Sequence, residues 1–171
     1  MQLASPSLRY KESYLDALRE FQKEGRNLDV NINDLEKNFE QFVIDLTEEA
    51  EGKNLKEGRV PQTTFWTLED EAYIGRISVR HVLNDKLQAG GGHIGYEVRP
   101  SKRRRGYGLK MLKQVLPKTK ELGIAKVLIT CDSTNIASKK IIERCGGVLE
   151  NEVETGIEKP SKLRYWINLA S

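Results

Sequence analysis

The chain is poor in cysteine, histidine and aromatic residues, and it has no long apolar run. Its two cysteines, Cys131 and Cys145, are too few for a disulfide framework, and with the two histidines they show no metal-ligand spacing. No metal is therefore expected, and a reducing cytoplasm is the expected compartment. No stretch approaches the about 20 apolar residues of a membrane helix. The opening MQLASPSLRY lacks the apolar core of an export signal. Aromatics make up 7% and charged residues 31% of the 171 residues, a composition neither disordered nor membranous. Internal repeats and low-complexity tracts are absent as well. The length suits one domain, 1–171, able to bury a core without a disulfide or a metal.

One further absence is local. Between Arg99 and Lys120 stand nine basic residues and no acidic one. The net charge of +3 hides this, because residues 1–70 carry a net −6 and residues 71–171 a net +9. Such a cluster suits an anionic partner: nucleic acid, membrane phosphate or a phosphorylated small molecule. Composition does not choose among them; against nucleic acid, the cluster lacks interleaved aromatics for base stacking and no known binding motif accompanies it.

Apolar spacing predicts a helix over Leu8–Lys23, with Tyr14, Leu15, Leu18 and Phe21 on one face and Gly25 as its stop. A second is expected over Asp34–Glu51, capped by Asn33 with Glu36 three residues on. Its outer face is acidic (Glu36, Glu40, Asp45, Glu48, Glu49, Glu51), which reads as a solvated surface or as a guide for a cationic substrate. Thr63–Leu68 and Tyr73–Val79 form a hairpin around Glu69-Asp70, and Asn84–Gly92 is a loop. His93–Val98 is a short strand. A helix over Tyr107–Leu122 follows, which Pro117 should kink or split. Lys126–Cys131 is the strongest strand signal, and Asn135–Cys145 a short helix ended by Gly146 and Gly147. Val148–Val153 and Leu163–Leu169 are the last strands. The order predicts a mixed α/β domain around one largely antiparallel sheet with a parallel crossover.

The segment HIGYEVRPSKRRRGYGLKML, residues 93–112, carries the chemistry. A strand enters a basic loop whose glycines, Gly106 and Gly108, stand at a helix start. Glycines let successive backbone N–H groups turn inward, and the helix start adds unpaired donors and partial positive charge. Arg103, Arg104 and Arg105 add forked, permanently charged donors. Neither GxxxxGK[ST] nor the third glycine of the dinucleotide fingerprint is present. What remains is Arg103-x-x-Gly106-x-Gly108 between strand and helix.

With the downstream KVLITCDSTNIASKKIIERCGG, this segment closely resembles the GNAT superfamily of acyl-CoA-dependent N-acyltransferases. Arg103, Gly106 and Gly108 match that family's pyrophosphate loop, and Asn135, Ser138 and Gly146 its Asn-led helix. Arg80-His81, GGHIGY at 91–96 and Arg164-Tyr165-Trp166 look similar to a bacterial subgroup of it. The resemblance implies a single-domain α/β (α+β) fold whose mixed, mostly antiparallel sheet is splayed between its fourth and fifth strands. It implies acetyl-CoA as cosubstrate and an amine acceptor, with no role for nucleic acid, a membrane or a metal, and a monomer or homodimer. The backbone of Tyr96 and Val98 would meet the pantetheine arm. The N–H groups of Arg103, Arg104, Arg105, Gly106, Tyr107, Gly108 and Leu109 would hold the pyrophosphate. Asn135 and Ser138 would face the arm from the other wall, and Lys139 and Lys140 stand where a phosphorylated ribose would come near.

Direct acyl transfer needs a neutral amine and a leaving thiolate. An amine of pKa about 10.4 costs about 4–5 kcal/mol to deprotonate at pH 7, and a thiol near about 8.5 only about 2. The base is the more demanding role. Here the chain departs from the family: Ile142 stands where many members place an acidic tyrosine, and Thr130 where some place a basic glutamate. Glu97 and His93, on one face of the fourth strand by alternation, become the candidate bases. An ion pair for Glu97 and a structural hydrogen bond for His93 are the competing readings. Asp132 and Tyr165 are weaker candidates, and His81 reads as packing. Cys131 reads as a small core residue, and Trp66 and Trp166 as core or groove walls. Besides an enzyme, a silent acetyl-CoA-binding sensor fits the missing tyrosine and glutamate.

Overall fold

The strongest apolar alternations in the chain become neighbours in one sheet. The computed structural model describes residues 1–156 and 159–169. Its strands are β1 (Gln2–Ala4), β2 (Gln62–Glu69), β3 (Ala72–Arg80), β4 (Ile94–Val98), β5 (Lys126–Asp132), β6 (Val148–Val153) and β7 (Lys162–Asn168). The helices are α1 (Lys11–Lys23), α2 (Ile32–Lys37), α3 (Phe39–Ala50), α4 (Tyr107–Glu121) and α5 (Ile136–Arg144). The spatial order is β1-β2-β3-β4-β5-β7-β6. Every neighbouring pair is antiparallel except β4 and β5, which run parallel with a single paired position, Ile94 opposite Ile129. The mixed, mostly antiparallel sheet expected from the sequence is the one observed.

Period-two alternation, reset by a bulge in β3 opposite Thr67 and Leu68, sends the two faces of the sheet to two different cores. Ile77, Val79 and Ile94 face α4 and α5, where Met111, Leu112, Val115 and Ile142 are buried among them. Trp66, Leu68 and Tyr73 face the other way, against Leu15 and Ala17 of α1 and Phe39 of α3. Tyr14 stacks on Trp66 at 5.0 Å between centroids and meets Tyr73 edge-on, also at 5.0 Å. Such offset and edge-on pairs add about 0.5–1.5 kcal/mol each beyond the area they bury.

Several local expectations need correction. The second helix is broken at Asn38 (φ −109°, ψ 26°), and its cap is Asn31, whose side chain accepts from the N–H of Asn33 and Asp34. Asn33 already lies inside α2. Leu8–Tyr10 is a turn of 3-10 helix ahead of α1. The hairpin turns at Asp70 and Glu71, both in the left-handed region (φ 50° and 65°), the geometry that matches strand twist in a two-residue loop. Leu87–Gly91 within the expected loop forms a π-helical turn. Pro117 does not split α4, which runs unbroken from Tyr107 to Glu121. Pro117 and Lys113 are both exposed, so the carbonyl left without its donor faces water. The three-residue β1 carried no alternation long enough to register.

Trp66 is fully buried at the centre of the aromatic cluster. Trp66→Ala should therefore lower unfolding free energy by about 3–5 kcal/mol in urea titration. A loss below about 1 kcal/mol would show that the cluster collapses around the void.

Candidate active site

The joint between β4 and β5 is fastened at one end and open at the other. His93 N–H donates to Leu128 O at 2.7 Å, and Leu128 N–H donates to His93 Nδ1 at 2.9 Å. Thr130 Oγ1 donates to Gly90 O at 2.6 Å, tying the π-turn to β5. Gly92 (φ 65°) sits so close to β5 that a Cβ would stand 2.7 Å from Leu128 O, so no larger residue fits. Beyond Ile94 and Ile129 the ladder has no further pair. Arg80 N–H donates to His93 O and Arg99 N–H to Ile74 O, which sets the phase of the β3–β4 ladder. By alternation, Gly95 and Glu97 turn their backbone groups to β3, while Tyr96 and Val98 turn theirs to the opening.

The loop after β4 is built to present N–H groups. Arg104 (φ 61°) and Gly106 (φ 78°) are both left-handed. The first N–H of α4 to find a carbonyl one turn back is that of Lys110, to Gly106 O. Among the described residues, the N–H groups of Arg104 to Leu109 meet no backbone or side-chain acceptor. The two glycines serve different ends. Gly106 has open space around it and is needed for its φ, whereas a Cβ on Gly108 would stand 2.9 Å from Ile141 Cδ1 and 3.5 Å from the Tyr96 ring.

Acidic residues of α1 and its C-terminal cap hold this loop in place. Glu20 accepts from Arg99 Nε at 2.7 Å and from the N–H and Oγ of Ser101 at 3.0 and 3.1 Å. Arg103 donates to Val98 O at 3.2 Å and pairs with Glu24 at 2.8 Å. Arg104 and Arg105 are exposed and in no ion pair among the described residues, with Arg105 lying over the Tyr107 ring. The Tyr107 hydroxyl bonds to Glu69, anchoring the helix start to the β2–β3 turn. Partial burial pushes the Glu20 carboxyl up, but the Ser101 bonds and Arg99 outweigh it and leave it below its ordinary range.

The far wall is α5. Asn135 Oδ1 caps it by accepting Ser138 N–H at 3.0 Å, and the Tyr96 hydroxyl meets Ser138 Oγ at 2.8 Å. Burial pushes the Tyr96 hydroxyl up to about 12, so it keeps its proton. Ile142 is fully buried in the core. Glu97 is reached by Arg76 Nε at 2.6 Å and Arg26 Nη2 at 2.9 Å, and it lines a cleft of about 420 Å³ on the α1–α3 face. His93 does not line that cleft. Its ring is buried, with Nδ1 already accepting, which leaves the ring proton on Nε2 and no free lone pair. Burial, with Arg80 nearby, holds its pKa below the ordinary value. The structure thus separates the two candidate bases.

The weaker candidates have structural partners. Asp132 pairs with Lys162 at 2.6 Å, Tyr165 bonds Glu143, and His81 Nε2 meets Thr63 Oγ1 at 2.8 Å. Burial raises the Cys131 thiol, which suits packing and not nucleophilic attack. The Tyr96 side chain and the cleft-lining role of Arg80 went unread in the sequence, whereas Arg76, expected with Arg99 as a candidate ion-pair partner of Glu97, is that partner. The signal for Arg80 is the alternation of Arg76, Ser78 and Arg80 with Ile77 and Val79.

A helix start with unpartnered N–H groups thus stands beside a sheet opened between two parallel strands. The acetyltransferase (GNAT) domain family matches residues 17–148, and the chain belongs to that family. No curated protein matches it by sequence. Among solved structures, the Mycobacterium smegmatis RimJ in complex with CoA-disulfide is similar at TM-score 0.74 and 15% identity, over 97% of this chain and 80% of that one. The microcin C7 self-immunity acetyltransferase MccE, in complex with acetyl-CoA and AMP, is similar at TM-score 0.70 and 17% identity, over 97% and 91%. A point mutant of the Vibrio cholerae spermidine N-acetyltransferase SpeG is similar at TM-score 0.64 and 12% identity, over 99% and 95%.

The Glu20 clamp should titrate. A carboxyl held below its unfolded pKa contributes stability in full above that pKa and loses it as the pH falls through the depressed value. Glu20→Gln should cost about 1–2 kcal/mol at pH 7 and flatten the acid limb of the stability profile, measured by urea unfolding from neutral pH downward. An acid limb as steep as that of the parent would place the titration elsewhere.

Proposed function

We propose that the protein is an N-acetyltransferase that moves the acetyl group of acetyl-CoA to a primary amine by direct attack in a ternary complex. The observation that carries this reading is the run of unpartnered N–H groups from Arg104 to Leu109 at the mouth of an opened sheet. Those groups fit a diphosphate, with Arg104 and Arg105 as free charges beside it. Gly108 leaves room where a side chain would press on α5.

The thioester supplies an electrophilic acyl carbon and a thiolate leaving group; the remaining tasks fall to the chain. The backbone of Tyr96 and Val98 lines up the pantetheine arm, and a backbone N–H of this edge polarises the thioester carbonyl as an oxyanion-hole donor does. Asn135 and Ser138 close the far wall. Glu97 takes the proton of the amine. Arg76 and Arg26 fix its oxygens beside the cleft. His93 is the positioning residue that fixes where β4 parts from β5. The Tyr96 hydroxyl, still protonated, is a hydrogen-bond donor on the wall toward the leaving sulfur. The silent-sensor reading draws on the same geometry, since Ile142 is core and Thr130 is occupied with Gly90.

Acetyl-CoA should raise the melting temperature in a concentration-dependent way, by the equivalent of about 2.7 kcal/mol at a hundredfold excess over Kd. Gly106→Pro, which cannot hold a φ of 78°, should abolish that shift. The absence of any shift at millimolar acetyl-CoA would overturn the assignment. In a thiol-release assay with a panel of amines, Glu97→Gln should lower kcat about 10²–10⁴-fold while keeping the acetyl-CoA shift, and Glu97→Asp should restore part of the rate. His93→Gln should lower stability without altering the shape of the pH–rate profile. The opposite pattern would exchange the two roles. Binding without turnover on any amine would favour the sensor.

A further inference from the structure

The cleft beside Glu97 carries the wrong charge for a purely cationic acceptor. Four arginines, Arg26, Arg59, Arg76 and Arg80, line it against two glutamates, Glu49 and Glu97. Of the acidic residues on the outer face of α3, only Glu49 reaches this cleft, and there it accepts from Gln62 at 3.3 Å. Glu97 is committed to Arg26 and Arg76. Arg80 uses Nη1 on the carbonyls of Gly91 and Gly92, at 3.1 and 3.0 Å, which holds the guanidinium rigid but in no ion pair among the described residues, with Glu49 as a more distant opposing charge. Arg59 is exposed on the rim and makes no side-chain ion pair among the described residues.

Like charges gathered in a partly buried cleft repel one another. Burial, together with the neighbouring charges of Arg59 and Arg76, outweighs Glu49 and pulls the Arg80 guanidinium below its ordinary pKa. An anion between Arg59 and Arg80 would relieve that repulsion and accept forked, charge-assisted hydrogen bonds. At about 420 Å³ the cleft suits a small molecule.

We propose that the acceptor is a small amine that also carries an oxyanion, a phosphate or a carboxylate, held by Arg59 and Arg80 while its amine faces Glu97. This rests on the acetyltransferase reading for the role of the amine but not for the anion site itself. The arrangement divides one cleft into two ends. The arginine end anchors and orients, and the glutamate end handles the proton. A polyamine would meet the arginines with like charge and be excluded.

Two experiments separate the anion site from the enzyme reading. The first titrates inorganic phosphate into protein saturated with acetyl-CoA, so that the loop amides are already taken, and follows melting temperature. Stabilisation in the parent, reduced at least severalfold in Arg59→Gln and abolished in Arg59→Gln/Arg80→Gln, is expected. Because the Arg59 side chain is exposed and in no ion pair among the described residues, its single variant keeps the test valid even if the double variant folds poorly. No stabilisation of the parent, or equal stabilisation of parent and Arg59→Gln, would overturn the site. Failure of acetyl-CoA to bind would instead count against the acetyltransferase reading and leave the arginine dependence of phosphate binding as the readout. The second compares matched acceptors: an aminoalkyl phosphate against its amino alcohol, and an amino acid against its amide. The anionic member should be favoured at least tenfold in kcat/KM, and Arg59→Gln should shrink that ratio. The phosphate and carboxylate arms tell which oxyanion is used. Equal or better use of the neutral members, or of a polyamine, would refute the proposal.

Discussion

The parallel meeting of β4 and β5 at a single residue pair is the constraint from which the site follows. Parallel neighbours cannot be joined by a hairpin; they need a crossover, here the loop after β4 and the whole of α4. That connection puts a helix start at the end of β4 where the two strands part. The pair of hydrogen bonds between His93 and Leu128 decides where parting begins. On one side of it the backbone groups of β4 are satisfied by β5; on the other, those of Tyr96 and Val98 face a gap. A gap lined by backbone donors and acceptors, next to a run of free helix N–H groups, suits an extended polar arm ending in phosphates.

Electrostatics then stabilises what the crossover builds. A loop with left-handed Arg104 and Gly106 and many positive charges is a poor candidate for self-assembly. Glu20 and Glu24 offset this by binding the two arginines at its edges, Arg99 and Arg103, together with Ser101. The acid-rich first half of the chain and the base-rich second half are thus partly one structural device. The charge imbalance is not simply a cofactor side and a substrate side. Arg99 and Arg103 are consumed by the fold; Arg104 and Arg105 remain for a ligand.

Most of the fold could be read from pattern because it rests on long periodic segments: the hairpin, the KVLITC strand and the leucines of α4. The failures were all local. Asn31 and Asn33 are equivalent as caps until the chain's path selects one, and Pro117 is tolerated where the carbonyl left without its donor, that of exposed Lys113, faces water. On the site, the loop was legible because glycine spacing is a backbone property. The acceptor side was not, because it depends on which faces of β3 and β4 are brought against α1 and α3. The acidic face of the second helix suggested a cationic acceptor, yet folding turns nearly all of it away from the cleft and brings in arginines from β3.

Tyr96 and Glu97 place one strand in contact with two different surroundings. Being adjacent, they point to opposite faces of the sheet. Tyr96 goes to α5, where Ser138 holds its hydroxyl, and Glu97 to the cleft, where two arginines hold its carboxylate. In a closed sheet those faces would be sealed from each other by the hydrogen-bonded ladder. Beyond Ile94 the ladder to β5 is missing, so a group lying in the gap is within reach of both faces. In the transfer we propose, an acyl donor threaded along β4 meets an amine arriving from the arginine side without either crossing a core. The position where the resemblance expects a helix tyrosine is packed with Ile142; in the mechanism we propose, the Tyr96 phenol, held by Ser138, takes its place from β4.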